Sequence, residues 1–216
     1  MDTDTQAQNH FYDGWIYRKL IDPSLKGIRK RISRLIPENS RVLDVGCGTG
    51  DQLFHISQQI QSGLGIELSA TMVKTCQEQA RARDIQNCKF LLADASNLSV
   101  LEDQAFDFSM ASMVIHEMPE ALRVPVLTEM IRLGNRLILV DWIYPQPQLM
   151  RKLATHFVER LAGKEHYTGF RSFMKQGGMP ALIKTLGFET LETQITGKGT
   201  IQLWVCQASE ETLAIS

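Results

Sequence analysis

The decapeptide from Arg41 to Gly50, RVLDVGCGTG, restricts the fold of this chain more than any other stretch. Arg41 to Val45 is mostly apolar and β-branched, the composition of a buried strand. Gly46, Gly48 and Gly50 follow at alternate positions, and residues 51–61 carry a helical pattern. Glycine has no Cβ and accepts positive φ, so a ligand can lie directly against such a turn. The helix that follows points its free N–H groups and positive dipole end at the same place. Strand, turn and helix together form a ligand cradle at the carboxyl end of the first strand of an open α/β sheet.

The spacing of the glycines narrows the ligand. A dinucleotide fold shows G-x-G-x-x-G after its first strand, whereas this turn is G-x-G-x-G and carries an acid, Asp44, two residues before Gly46. A pyrophosphate asks only for N–H donors. A ligand end with both an ammonium and a carboxylate also needs acceptors, which Asp44 and the turn carbonyls supply. The motif resembles motif I of the class I S-adenosylmethionine (SAM) methyltransferases. That resemblance implies that Asp44, Gly46, Cys47, Gly48, Thr49 and Gly50 surround the amino-acid end of SAM.

Further landmarks follow in order. The second strand, 63–68, ends near Glu67, about 20 residues past the turn, where a carboxylate meets ribose hydroxyls in nucleotide-binding α/β folds; Leu68 and Met72 flank it. The third strand, 89–95, ends at Asp94 and Ala95, which the resemblance places beside adenine. The fourth, 107–112, leads into MVIHEMP, which is similar to the family segment lining the methyl-transfer site and puts Met113 and His116 against the cofactor. The fifth is 136–142. The family's longer turn before that strand is reduced here to Leu133-Gly134-Asn135-Arg136.

Strands alternate with helices expected at 50–61, 69–83 and 120–133, which implies a mainly parallel sheet with helices on both faces. Ser69 is suited to cap the second of these helices. Two last runs, 189–196 and 200–207, flank Gly-Lys-Gly, a hairpin signal. The expected fold is a Rossmann-like α/β domain with a seven-stranded, mostly parallel sheet closed by a C-terminal antiparallel β-hairpin. One domain over 1–216 is expected. It divides into a helical cap (1–39), a cofactor core (40–142), a helical and loop substrate region (143–188) and the hairpin (189–216). The cap reads as a helix over 10–21, rich in aromatics (Phe11, Tyr12, Trp15, Tyr17), and a second over 25–36. A helix over 148–162 precedes GKEHYTGFRSFMKQGGMP, read as a long functional loop, before a short helix at 180–186.

Composition excludes several classes. With 23 basic and 24 acidic side chains the net charge is −1, which argues against nucleic acid, a partner that demands a basic face. The seven Lys and Arg between Arg18 and Arg34 read as a solvated helix face. No apolar run approaches the roughly 20 residues of a membrane span. The four cysteines show no C-x-x-C pair and no metal spacing, so no metal is expected and a reduced, cytoplasmic setting fits. Cys47 reads as a small side chain of the turn and not as a nucleophile.

The resemblance implies methyl transfer from SAM to a small-molecule acceptor by in-line displacement, which depends on alignment and exclusion of water. A base is needed only when the acceptor must lose a proton. His116, Glu117 and Tyr167 are the candidates, in an acceptor pocket also lined by the N-terminal aromatics, Trp142–Tyr144 and the 166–173 segment. The Asn/Asp-Pro-Pro-Tyr/Phe motif of many amino methyltransferases is absent after the fourth strand, and HEMP resembles the branch that includes quinone-ring methylation. Three rival readings are a non-catalytic SAM-binding scaffold, a protein methyltransferase and a nicotinamide-dependent oxidoreductase.

Overall fold

A computed structural model describes residues 26–146, 156, 160 and 164–209. The helix expected over 10–21, with its four aromatics, and most of that over 148–162 lie outside the described residues. The strands are β1 (Arg41–Val45), β2 (Ser62–Glu67), β3 (Cys88–Leu92), β4 (Phe106–Ser112), β5 (Gly134–Trp142), β6 (Phe188–Thr196) and β7 (Ile201–Ala208). They form one sheet in the order β3-β2-β1-β4-β5-β7-β6. The first five are parallel, and β7 runs antiparallel to both β5 and β6. The expected seven-stranded sheet with a terminal hairpin is therefore present. The connection reverses direction between β1 and β4, and that switch point opens a crevice at the carboxyl ends of the strands.

Each central strand is buried on both faces, so alternate residues feed two separate cores. Val42, Met110, Ile138, Val140 and Leu203 face one core, completed by Ile28, Ile32 and Ile36 of α1 (26–35) and the residue after it. Leu53 and Phe54 of α2 (Asp51–Ile56) and Val73 and Cys76 of α3 (Ala70–Ala82) join the same core. Leu43, Val45, Ala111, Leu137, Leu139 and Trp204 face the other. That layer is covered by Val126, Leu127 and Met130 of α4 (Glu120–Leu133) and by Met179 and Ile183 of a helix at Gly178–Thr185.

Four local expectations are corrected. First, α2 stops at Ile56 and does not continue to residue 61. The Ser57 hydroxyl donates back to the Phe54 carbonyl, and Asn87 Nδ2 donates to the carbonyls of Ser57 and Ile60. These side chains take over acceptors that would have continued the helix. Second, β3 ends at Leu92, so Asp94 lies in the loop beyond it. Third, no turn separates α4 from β5. The strand begins at Gly134, which pairs with Phe106. A Cβ at Gly134 would collide with the Ser109 side chain and sit 2.7 Å from its amide nitrogen, so only glycine admits the strand this close.

Fourth, the stretch read as a long loop is mostly helix: α5 spans Lys164–Lys175 and α6 is the helix at Gly178–Thr185. His166, Phe170 and Phe173 fall on one buried face of α5 at helical spacing. Gly169 lies on that face because a Cβ there would stand 2.5 Å from the Glu117 carbonyl oxygen. Arg123 of α4 is buried and fastens α5 through the Gly169 carbonyl (2.8 Å) and Gln176 Oε1 (2.9 Å), with its guanidinium over the Phe173 ring. The helix thus caps the carboxyl ends of β4 and β5.

Gly134→Ala should lower unfolding free energy by about 1–3 kcal/mol, the usual cost of forcing atoms into a closed site. Gly27→Ala, exposed in α1 with nothing within 4 Å of its Cβ, should be neutral or stabilising. Paired urea denaturation curves of the two variants check this contrast.

Candidate functional site

The glycine corner forms where β1 ends. Gly46, Gly48 and Gly50 have φ of 67°, 53° and 76°, the left-handed region that an L side chain resists. The amides of Gly46 and Cys47 both donate to the Ile66 carbonyl, at 2.9 and 3.2 Å, tying the turn to β2. Gly46 also rests on Val114, whose Cγ2 would be 2.5 Å from a Cβ at that position. At Gly48 the Cβ direction is open for 4 Å. The turn is therefore closed against protein at Gly46 and open to a ligand at Gly48.

Two acids flank this turn. Glu67 Oε2 accepts from the Gly48 amide at 3.0 Å, while Oε1 accepts from the amides of Leu68 and Ser69 at 2.9 and 3.0 Å. Glu67 therefore clamps the turn to the start of α3; Oε1 is filled by two amides, and Oε2 keeps one lone pair for a further donor. Ser69 caps α3 as expected, accepting from the Met72 amide at 3.3 Å. Asp44 is different. It is 3% exposed, and no donor among the described residues meets its carboxylate. Burial, aided by the nearby charge of Glu67, pushes its pKa from 3.8 up to about 8. A buried carboxylate beside a second acid is a site for a cation.

The other expected cofactor residues surround the same corner to different degrees. Thr49 Oγ1 donates to Asp51 at the start of α2. Cys47 has its thiol pushed strongly upward, first by its hydrogen bond with Cys76 and then by burial, so it stays protonated and is no nucleophile. Leu68 is exposed at the end of β2. Asp94 is exposed and closes its own loop by accepting from the Ser96 amide at 2.8 Å, with Ala95 buried behind it. Met113 has a φ of 57°, and its amide donates to the Val140 carbonyl, which turns the chain out of β4 across the end of β5.

That turn delivers a second cluster. A single 3-10 turn, Ile115–Glu117, carries His116, which is fully buried. His116 Nδ1 lies 2.8 Å from Asp141 Oδ1, and Asp141 Oδ2 accepts the His116 amide at 3.1 Å. Glu117 Oε1 lies 3.0 Å from His166 Nε2 and 3.8 Å from His116 Nε2. Trp142, Phe170 and Phe173 place their rings around His116, with centroids 6.1–6.3 Å away. Tyr167 stands apart: its hydroxyl meets His156 Nδ1 at 3.2 Å and its ring stacks on Phe170. Asp141, which accepts the His116 amide and stands beside its ring, is a residue the sequence reading passed over. Its only signal was a lone acid inside the apolar run RLILVDW.

The residues fit SAM on these grounds: a backbone cradle open at Gly48, an acid with one spare acceptor position at the end of β2, and a buried carboxylate calling for an ammonium. Comparison with known proteins agrees. Residues 42–135 match the methyltransferase domain family. The uncharacterized methyltransferase YcgJ of Bacillus subtilis is 24% identical over 127 residues, 58% of this chain and 49% of that protein. The crystal structure of YcgJ superposes with a TM-score of 0.58 at 19% identity, covering 87% of this chain and 99% of the other. A demethylmenaquinone methyltransferase of Staphylococcus carnosus is 23% identical over 203 residues, 85% of this chain and 83% of that protein. A SAM-dependent methyltransferase of Aquifex aeolicus shares the fold at a TM-score of 0.62 and 18% identity, over 91% of this chain and 99% of the other. The match spans about half the length of the first of the curated relatives. Glycine corner, strand order and family match converge: residues 42–135 carry a methyltransferase domain, and the chain has the cradle and the fold of a SAM-dependent methyltransferase.

Proposed function

We propose that this chain moves a methyl group from SAM to a small-molecule acceptor by in-line displacement. The observation that carries the reading is Asp44, a buried carboxylate next to Glu67 whose ionised form has no compensating donor among the described residues. A nicotinamide dinucleotide brings phosphates to this corner and would meet repulsion. The amino-acid end of SAM brings an ammonium, which restores the charge balance.

SAM, when bound, supplies an electrophilic methyl group on a sulfonium. The chain's part is to hold and orient. Asp44 takes the ammonium, the turn from Gly46 to Gly50 with Cys47 and Thr49 walls the same end, and Glu67 accepts from ribose hydroxyls. Leu68 and Met72 flank the nucleoside, Asp94 and Ala95 meet the base, and Met113 with His116 closes the side toward the acceptor. The acceptor lies against the corner formed by Glu117, His116 and His166. Glu117, whose side chain is 25% exposed, is the member of that trio most open to a ligand. It takes part in removing an acceptor proton with His116 behind it, and Tyr167 belongs to the pocket wall.

Three observations support a small acceptor. The rings of Trp142 and Phe170 suit an apolar ring, the charge is nearly balanced, and a relative acts on demethylmenaquinone by its name. No helix among the described residues is long and apolar enough to cross a membrane. Four free thiols support a reducing, cytoplasmic setting.

A thermal-shift experiment with SAM and NAD added separately tests the cofactor, because a ligand that binds only the folded chain raises its stability. A shift with SAM and none with NAD is expected; the reverse would overturn the assignment. Transfer of labelled methyl from SAM to quinol and phenol acceptors then tests turnover.

Asp44→Asn separates stability from binding. In the free wild type the folded state keeps the Asp44 proton up to about pH 8, while the unfolded chain releases it near 3.8. The contribution of this group is thus fully present below its unfolded pKa and lost as pH rises through the folded one. The variant, which has no such loss, should gain stability over wild type progressively across that window in urea titrations. It should also bind SAM about 10- to 100-fold more weakly, the weight of a charge-assisted hydrogen bond. SAM affinity of the wild type should rise with pH toward 8, as the bound ammonium favours ionised Asp44.

A further inference from the structure

The glycine corner leaves one backbone donor uncommitted. The amides of Gly46 and Cys47 both go to the Ile66 carbonyl, that of Gly48 to Glu67 Oε2, and that of Gly50 to the Cys47 carbonyl. The Thr49 amide donates to no acceptor among the described residues. Whether it can serve a ligand depends on where the Gly48–Thr49 peptide plane points. A trans peptide is planar and carries its C=O and N–H on opposite sides, so fixing the carbonyl of residue 48 also aims the N–H of residue 49. Gly48 has a φ of 53° and no side chain, so its own covalent structure does little to hold that plane.

The hold comes from α3. Cys76 Sγ donates to the Gly48 carbonyl at 3.1 Å. Cys76 is fully buried in the core that α3 shares with β1, α1 and α2, so packing sets the position of its sulfur. A thiol carries a single proton. With that proton on Gly48, the sulfur can only accept from its other partner, the Cys47 thiol. Cys47 in turn packs on β2 at Gly65, where a Cβ would stand 2.7 Å from its sulfur. The two thiols therefore form a short relay inside the wall of the cradle, from Cys47 to Cys76 to the Gly48 carbonyl. Glu67 grips the same residue from its other end, through the Gly48 amide at 3.0 Å.

We propose that Cys76 is a positioning residue for the cofactor: by holding the Gly48 carbonyl toward α3, it aims the Thr49 N–H out of the turn at the carboxylate on the amino-acid end of SAM. This role rests on the SAM reading of the corner. It completes the charge pairing there, with Asp44 on the ammonium and the Thr49 amide on the carboxylate. The carbonyls of Cys47, Gly48 and Gly50 already accept from the Gly50 amide, the Cys76 thiol and the Phe54 amide. The turn thus keeps few acceptors for the ammonium, which falls to the buried acid.

The test uses the full chain and calorimetric titration with SAM and with decarboxylated SAM. Cys76→Ala, which removes the donor, should weaken SAM binding about 3- to 10-fold, the weight of a weak hydrogen bond. Cys76→Ser, which keeps a donor, should stay within about twofold of wild type. Decarboxylated SAM should bind wild type and Cys76→Ala alike. A merely structural role would weaken both ligands together and would not be rescued by serine. Circular dichroism melts identify any variant that fails to fold, and amide exchange followed by NMR on wild type keeps the test open in that case. The Thr49 amide should exchange freely in the unliganded chain and become protected with SAM, while the Gly48 amide is protected in both. Unchanged SAM affinity in folded Cys76→Ala, serine as weak as alanine, or a Thr49 amide protected before SAM is added would overturn the proposal. Wild type that gives no SAM response removes the cofactor reading and this role with it. Wild type that binds SAM beside an equally tight Cys76→Ala removes the role of Cys76 alone.

Discussion

A carboxylate buried at the end of β1 is the constraint around which this molecule is organised. Asp44 is shielded from water and lies near a second acid, and the physics of burial drives it toward its neutral form. Fold stability alone would favour an amide or an apolar residue there. On the proposed reading, a cationic ligand group sharing the site offsets that cost. The surrounding turn is prepared for that arrival: Gly46 packs on Val114, Glu67 clamps Gly48 to the start of α3, and the space above Gly48 is open. The strain of three left-handed residues is confined to glycines, so the cradle is held open at little conformational cost.

Val114 joins this corner to the chemistry beside it. It packs under Gly46 and accepts the Glu117 amide through its carbonyl, so the glycine turn and the turn that carries His116 share one support. On the far side, Asp141 at the end of β5 accepts the His116 amide and stands 2.8 Å from its ring nitrogen. The carboxyl ends of β1, β4 and β5 thus supply in order a buried acid, a histidine and a second acid beside that histidine. The parallel sheet makes this possible because every strand end of the crevice opens on the same side.

Much of this was legible in the sequence, for reasons that differ from place to place. Glycine spacing, the acid before it and strand-end acids are local signals, so β1, α3 with its Ser69 cap, α4 and the terminal hairpin fell within a few residues of their predicted bounds. The errors share a cause. The segment from Gly163 to Gly178 is rich in glycine and reads as loop, yet it forms α5 because His166, Phe170 and Phe173 bury one face and Gly169 is spent on close packing. The turn expected before β5 vanished because Gly134 can enter the sheet against Ser109. Helix α2 was read too long because Asn87, 30 residues from Ser57, claims its carbonyls. In each case a distant partner settled the local structure.

The chain's linear order by itself determined the fold class, the glycine corner and the acids at its rim, since each rests on neighbours within one strand–turn–helix unit. Tertiary structure alone decided what those groups are worth. Nothing in residues 116, 117 and 166 read separately puts two imidazoles and a carboxylate within 4.8 Å of one another. Nor does the letter at position 44 say that its carboxylate is dry. Burial and long-range approach are properties of the packed sheet and its capping helix, and they set charge, protonation and geometry where the sequence sets only identity.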